Sequence, residues 1–186
     1  QLANFMRFNL GITAASLISL EREYEHVKAY LEIIQMRFAK QFDIEIKRNR
    51  SVNHVLIPPS TIQPLVENSI QHGLKDISSG GKIRIVIQSE KEHVLISVED
   101  NGAGFDEEKL DMSVIEAYAQ TEKASIEQGG MGLYNVNQRL ISLLGEDSRL
   151  RAENLPDGGS KVSFIVPNCT SLRGRNNEVD RIDSGR

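Results

Sequence analysis

The sequence predicts an α+β fold, a two-layer sandwich in which a mostly antiparallel sheet carries helices on one face. Two segments that alternate apolar and polar residues, 82–88 and 93–100, flank a short polar turn and indicate paired strands. A second such pair, 149–155 and 161–167, surrounds a Pro-Asp-Gly-Gly turn. Apolar residues recur at helical spacing over 17–38 and again from Leu133 to Leu144, which supplies helices to cover the sheet.

Composition excludes several classes of protein. The chain of 186 residues is 39% hydrophobic and 26% charged, which is typical of a soluble globular protein. A net charge of -4 gives no reason to expect nucleic acid or a membrane surface as a partner. The single cysteine, Cys169, excludes an internal disulfide and fits a reducing compartment. No run approaches the roughly 20 apolar residues of a membrane span.

Residues 1–40 are predicted to form a helical hairpin that precedes the main domain. The first helix ends near Gly11, and because the chain begins inside a helical pattern without an initiator methionine, we expect it to be a fragment. The second helix carries an apolar seam at spacings of three and four. Its members are Leu17, Leu20, Tyr24, Val27, Leu31, Ile34 and Phe38. The seam either packs on its own domain or pairs with a second copy of the chain.

Residues 41–168 are predicted to form the main domain. Weak alternation over 41–57 indicates a strand that runs into Pro58-Pro59. Residues 106–129 are polar and poor in apolar periodicity, and a loop of that length is predicted to be a lid over a site. Residues 169–186 are polar and charged without periodicity, and we expect a disordered tail.

A predicted helix from Gln63 to Gly73 places Asn68, His72 and Lys75 on the face opposite its apolar residues. That face is either solvated surface or the wall of a pocket for a metal ion and phosphates. The amide oxygen of asparagine suits Mg²⁺, which usually takes only one or two protein ligands.

Two glycine-containing segments are further candidates. Asp100-Asn101-Gly102-Ala103-Gly104 ends a predicted strand, and it is either a turn or a site where the carboxylate accepts a hydrogen bond from the amine of adenine. Gly130-Met131-Gly132 opens a predicted helix, and it is either a tight entry turn or a phosphate site at the helix N-terminus.

The order of these motifs resembles the N, G1 and G2 boxes of the GHKL ATP-binding superfamily, with Gly158-Gly159-Ser160 in the closing hairpin. That superfamily unites sensor histidine kinases, gyrase B, a heat-shock chaperone and mismatch-repair ATPases. The local sequence motifs are similar to those of LytS/YesM-type sensor histidine kinases, and the resemblance covers roughly residues 1 to 167. It is carried by Tyr30 to Phe38, Ile57-Pro58-Pro59, Gln63 to Gly73 and Gly132 to Leu140.

The resemblance implies ATP and Mg²⁺ as ligands, with one role for each matching position. Asn68 would ligate Mg²⁺, with His72 and Lys75 near the phosphates, and Asp100 would recognise adenine beside Ser160. Gly102 and Gly104 would shape the adenine pocket, and Gly130 and Gly132 would meet the phosphates. The implied nucleotide-binding set is completed by Gly73, Phe105, Met131 and Leu133. Residues 106–129 would be the ATP lid, and 1–40 the end of the dimerisation and phosphotransfer helices.

Two departures from the family pattern qualify this function. The family's phosphoacceptor histidine lies in a motif upstream of this chain, and His26, His54, His72 and His93 do not stand in that motif. His26, His54 and His93 are expected to be plain exposed residues. The superfamily's ATPases carry a water-activating glutamate four residues before the metal-binding asparagine, where this chain has Pro64. Glu67 lies about 100° round the helix from Asn68.

The leading hypothesis is therefore the catalytic domain of a two-component sensor histidine kinase. It would supply the γ-phosphoryl of Mg-ATP to an upstream histidine, and thence to a response regulator. The resemblance further implies a homodimer through the N-terminal helices and a soluble cytoplasmic domain of a bacterial plasma-membrane sensor. The alternatives are a stand-alone GHKL ATPase or protein-serine kinase, and a degenerate scaffold that binds no nucleotide.

Overall fold

A computed structural model of the chain describes residues 17–38, 41–105 and 130–168. Its strands are β1 (Ile18–Ser19), β2 (Phe42–Arg48), β3 (Leu56–Ile57), β4 (Gly81–Ser89), β5 (His93–Asp100), β6 (Arg151–Asn154) and β7 (Ser160–Pro167). Its helices are α1 (Leu20–Arg37), α2 (Ile62–Asn68) and α3 (Gly130–Leu144), with short helical turns at Arg50–Val52, Ser69–Gly73 and Glu146–Ser148.

Within the described residues, the main sheet has five strands in the order β2-β4-β5-β7-β6. Of these five, only β2 and β4 pair in parallel, and α2 lies in the crossover between them. The other three pairings are antiparallel. One face of the sheet is apolar and meets the helices, as in the buried alternation of Ile83, Ile85 and Ile87. The predicted α+β sandwich with a mostly antiparallel sheet is confirmed.

The single strand expected over 41–57 is wrong, because the segment breaks into β2, a 3₁₀ turn and β3. Asn49 causes the break locally, since its side-chain oxygen accepts hydrogen bonds from the backbone N–H and hydroxyl of Ser51 at 3.0 and 2.8 Å. The strand β3 then pairs with β1 in a separate two-stranded ribbon, with Ile18 opposite Ile57.

The helix α1 is built into the core of the domain rather than standing apart from it. Its residues Leu20, Val27, Leu31 and Ile34 belong to one buried cluster with the apolar residues of α2 and the sheet. Its first turn is held by the backbone, because Leu20 and Glu21 donate their N–H groups to the carbonyls of Val55 and Asn53. Four of the seven seam residues, Leu20, Val27, Leu31 and Ile34, are therefore buried within the chain. Leu17, expected in that seam, precedes the helix and is exposed.

The helical segment expected from Gln63 ends at Gly73 as predicted, but its last turn departs from α geometry. An α-helix runs from Ile62 to Asn68, and a π-helical turn continues it from Ser69 to Gly73. Leu74 donates its N–H to the carbonyl of Ser69 at 2.9 Å, which is the five-residue spacing of a π turn. The wider turn rotates the residues after Asn68, so Asn68, His72 and Lys75 do not form a stripe on one α-helix, and Lys75 lies beyond the helical segment.

Three expectations lie outside the described residues: the first helix of the hairpin, the lid over 106–129 and the disordered tail. In the three described ranges, no helix has the length and hydropathy needed to cross a membrane.

Candidate functional site

Asp100 is the last residue of β5, and its carboxylate is held from two sides. The side chain is buried, with 3% of its surface exposed. One oxygen, Oδ1, accepts a hydrogen bond from the N–H of Gly102 at 2.9 Å, and Oδ2 accepts one from the hydroxyl of Ser160 at 2.7 Å. Ser160 lies opposite Asp100 in the pairing of β7 with β5. The pairing of the strands therefore brings these two predicted site residues together.

Glycines allow the backbone to approach this carboxylate closely. A Cβ atom on Gly73 would lie 2.6 Å from Asp100 Oδ1, and one on Gly102 would lie 1.9 Å from the carbonyl oxygen of Gly73. A Cβ on Gly159 would lie 1.9 Å from the carbonyl oxygen of Asp100. Real Cβ contacts are essentially never so short, so these three glycines are required by packing around Asp100. The N–H of Ala103 donates to the carbonyl of Gly73 at 3.0 Å and joins the two segments.

Asn154 holds the segment that leads into residues 106–129. Its Oδ1 accepts a hydrogen bond from the N–H of Phe105 at 2.7 Å, and its Nδ2 donates to the Phe105 carbonyl at 3.0 Å. Gly104, the residue before Phe105, has a φ of +78°, a backbone conformation that is strained for any residue with a side chain. Sequence reasoning missed Asn154. The available signal was its position in the closing hairpin, where it pairs opposite Ser160.

The residues predicted to bind phosphates lie at the end of α2 and at the start of α3. Asn68 is the last residue of α2, is partly exposed, and makes no side-chain cap bond to the π turn after it. His72 lies exposed in that turn. Gly132 lies near α2, since a Cβ there would be 3.9 Å from Cβ of Pro64. Leu133 is buried and packs in the core. The backbone of Gly130 and Met131 forms the start of α3.

Glu23 of α1 caps the N-terminus of α2 from outside. It is fully buried and accepts hydrogen bonds from the N–H groups of Ser60, Thr61 and Ile62 at 2.8–2.9 Å. Burial raises the pKa of the Glu23 carboxyl, and the three N–H donors and the Arg139 guanidinium oppose that rise. The sequence contained a signal that was overlooked, because Glu23 lies three residues after Leu20 and four before Val27, on the buried stripe.

A polar chain connects α1 to the side of α2. The Nε2 of His26 lies 2.7 Å from Oε1 of Gln63, whose Nε2 donates to Oε1 of Glu67 at 2.7 Å. His26 is 6% exposed, so the expectation of an exposed residue is wrong: it shares the face of α1 that packs against α2. Burial lowers the pKa of His26, and burial together with the charge of Glu67 raises the pKa of Tyr30 to about 12.

The other two histidines have different settings. His54 is exposed, as expected. His93 is partly exposed and pairs with Glu90.

Family comparisons agree with the geometry. Residues 59–170 match the family described as histidine kinase-, DNA gyrase B- and HSP90-like ATPase, and residues 1–42 match a histidine kinase family. The sensor protein LytS of Oceanobacillus iheyensis is 47% identical over 174 residues, which is 92% of this chain and 29% of that protein. LytS of Staphylococcus haemolyticus is 37% identical over 91% of this chain and 28% of its own length. The chain thus spans less than a third of these curated relatives.

Solved structures share the fold. The catalytic domain of histidine kinase ThkA superposes with a TM-score of 0.60 at 18% identity, over 82% of this chain and 95% of that one. A mycobacterial sensor histidine kinase, MprB, gives 0.55 at 18% identity over 82% of this chain and 97% of that one. The expected GHKL membership and the likeness to LytS-type sensor kinases are confirmed. The chain belongs to the histidine kinase-, DNA gyrase B- and HSP90-like ATPase family.

Proposed function

We propose that this domain binds Mg-ATP and presents its γ-phosphoryl to a histidine side chain of a sensor kinase. The observation that carries the proposal is the Asp100 carboxylate, buried at a strand end and held by Ser160 and Gly102. A carboxylate oxygen has lone pairs for more than one hydrogen bond, so each oxygen can accept another donor such as the amine of adenine. Gly102, Gly104 and Phe105 lie in the segment after Asp100 and would border the base.

The residues at the end of α2 and just after it, Asn68, His72 and Lys75, would suit a hard cation and the phosphates. Asn68 offers an amide oxygen that no cap bond occupies, and one such ligand suits Mg²⁺, which keeps most of its waters. In the described part of the chain, no cluster of three or more His, Cys, Asp or Glu side chains could hold a metal, and this role needs none. When bound, Mg²⁺ would neutralise charge on the phosphates. His72 and Lys75 are exposed near the end of the same segment and would add donors for them.

The start of α3 would receive the phosphates. Gly130, Met131 and Gly132 open this helix, where free N–H groups and the helix dipole favour an anion. Among the described residues, a Cβ atom on Gly132 would meet only Cβ of Pro64, at 3.9 Å, which leaves room beside this glycine. Leu133 fixes the helix by packing its side chain in the core.

The arrangement favours phosphoryl transfer over hydrolysis. Pro64 stands at the position of the water-activating glutamate and has no proton-accepting group. The neighbouring carboxylate, Glu67, is engaged by Gln63 on the side that faces α1. Positioning and charge neutralisation carry most of the catalysis in phosphoryl transfer, and the residues proposed for this site would supply both.

In the whole protein, the acceptor histidine would lie outside this chain and the phosphoryl group would pass on to a response regulator. A response regulator as partner is supported by the structure of histidine kinase ThkA in complex with the response regulator TrrA. That structure superposes on this chain with a TM-score of 0.58, over 90% of this chain and 47% of that one. A homodimer would use residues other than the buried face of α1. The domain would lie in the cytoplasm, behind a membrane-anchored sensor region.

Two assays with labelled Mg-ATP test this function. The full-length kinase that contains this chain is expected to acquire acid-labile phosphate on histidine, and the Asn68→Ala form is expected to lose it. The chain alone is expected to release no phosphate above the rate in buffer. Steady release of phosphate over many turnovers by the chain alone would contradict the proposal and favour a stand-alone ATPase.

A further inference from the structure

The first turn of α2 lacks a cap of its own. Thr61 occupies the N-cap position in helical geometry and makes no side-chain cap bond. Pro64, in the first turn, has no N–H group to be satisfied. The N–H groups of Ser60, Thr61 and Ile62 are all bound by the single carboxylate of Glu23. A residue of α1 therefore supplies what a local side chain supplies at most helix N-termini.

Arg139 of α3 binds the backbone of the same turn at Ser60. Its Nη2 donates a hydrogen bond to the carbonyl oxygen of Ser60 at 2.8 Å, and its charge acts on Glu23. Ser60 is held at φ +51°, and in the described ranges it is the only residue other than glycine with a positive φ. That conformation costs roughly 1 kcal/mol for a residue with a side chain, so it persists because both of its backbone groups are bound.

The clamp, formed by Glu23 and Arg139 on the backbone of Ser60, lies at the opposite end of α2 from Asn68. The helix α2 has seven residues from Ile62 to Asn68, a rise of about 10 Å at 1.5 Å per residue. Rigid secondary-structure elements carry coupling between sites, so a shift at the first turn of α2 would be carried to Asn68 at its last.

We propose that Glu23 is a positioning residue for the phosphate and metal end of the nucleotide site, linking α1 to α2. The proposal rests on the proposed function, which gives Asn68 its role. It assigns to α1 a direct mechanical connection to that role, through a carboxylate that touches neither nucleotide nor metal. Arg139 extends the same connection to α3, whose first residues would meet the phosphates.

The test compares two ligands that occupy different ends of the site. Adenosine, measured in EDTA, probes the adenine end at Asp100, and Mg-ATP probes both ends. Glu23→Gln leaves one acceptor oxygen where two stood, so an NH₂ group faces a backbone N–H of the clamp. We expect the affinity for Mg-ATP to fall about tenfold while the affinity for adenosine stays within about twofold. Glu25→Gln is the matched control, because Glu25 is exposed on the same helix, and it is expected to change neither affinity.

Each outcome separates this inference from the proposed function. Asn68→Ala is measured beside the other variants, and unchanged Mg-ATP affinity in that variant would overturn the role of Asn68. Loss of Mg-ATP affinity in Asn68→Ala, with Glu23→Gln behaving as wild type, would overturn only the positioning role. Equal losses for adenosine and Mg-ATP in Glu23→Gln would also overturn it, since they indicate general loosening. If Glu23→Gln fails to fold, Arg139→Lys is judged by the same two-ligand criterion.

Discussion

The hydroxyl of Ser160 donates a hydrogen bond to Oδ2 of Asp100 at 2.7 Å, across the pairing of β7 with β5. Gly102 donates to the other carboxylate oxygen at 2.9 Å, so both oxygens of Asp100 are oriented by groups on different segments. This buried carboxylate is therefore preorganised, and preorganised groups lose less conformational entropy when they bind a ligand.

Ser160→Ala is expected to weaken ATP binding by roughly three- to tenfold, about 1 kcal/mol for one lost hydrogen bond. The carboxylate keeps its bond to Gly102 but loses the donor that fixes Oδ2. Calorimetric titration of ATP measures the change, with Ser160→Thr as the hydroxyl-retaining control. Unchanged affinity in Ser160→Ala would show that orientation of Asp100 does not depend on this hydroxyl.

Alanine substitutions at Gly102 and Gly132 are expected to have different effects on the stability of the fold. Gly102→Ala would place a methyl group 1.9 Å from the Gly73 carbonyl oxygen and should destabilise the fold by several kcal/mol, on the order of the largest single-residue effects. In the described part of the chain, the methyl group of Gly132→Ala meets only Pro64 Cβ at 3.9 Å, so this variant should have an unchanged or slightly higher melting temperature, because alanine favours helix. Thermal unfolding followed by circular dichroism separates them. Equal melting temperatures would contradict the close approach at Gly102.

Asn154→Ala is expected to destabilise the domain by about 1–3 kcal/mol, since it removes both hydrogen bonds to the backbone of Phe105. Asn154→Asp retains an acceptor for the Phe105 N–H but sets a carboxylate oxygen against the Phe105 carbonyl, so it should also be less stable than wild type. Urea unfolding of the two variants gives the comparison. Wild-type stability in both variants would be inconsistent with the reciprocal pair.

The pH dependence of stability should carry a contribution from His26. Its folded pKa is lowered by burial, so as the pH falls below about 6.5 the unfolded chain takes up the proton first. His26 therefore contributes stability above that pH and loses it as the pH falls through the folded pKa, at about 1.4 kcal/mol for each unit of lowering.

His26→Gln removes the titration and keeps a partner for Gln63, so its free energy of unfolding should fall less between pH 7 and 5 than that of wild type. The opposite contribution of Glu23, whose folded pKa is raised, is common to both proteins and cancels. His54→Gln, at an exposed site, is the control and should follow wild type. Parallel curves for wild type and His26→Gln would refute the contribution.

Local patterns predicted the sheet well because strand alternation and turn residues act over a few neighbouring positions. The hairpin strand 93–100 and the glycines near Asp100 are readable in this way. The clamp at Ser60 was not, because Glu23 and Arg139 reach it from 37 and 79 residues away. His26 was misread for the same reason, since its partner Gln63 is brought to it only by packing of α1 on α2. The π turn after Asn68 has no sequence signature that we recognise.

Asp100 would recognise adenine by accepting a hydrogen bond from the amine of the base. Calorimetric titrations of Mg-ATP and Mg-GTP into wild type and Asp100→Asn test it directly, because an amide at this position presents an NH₂ group in place of one acceptor oxygen. We expect wild type to prefer ATP, and Asp100→Asn to lose roughly tenfold or more of its ATP affinity, the value of a hydrogen bond to a charged group. Equal ATP affinity in the two proteins would contradict the assignment of the site.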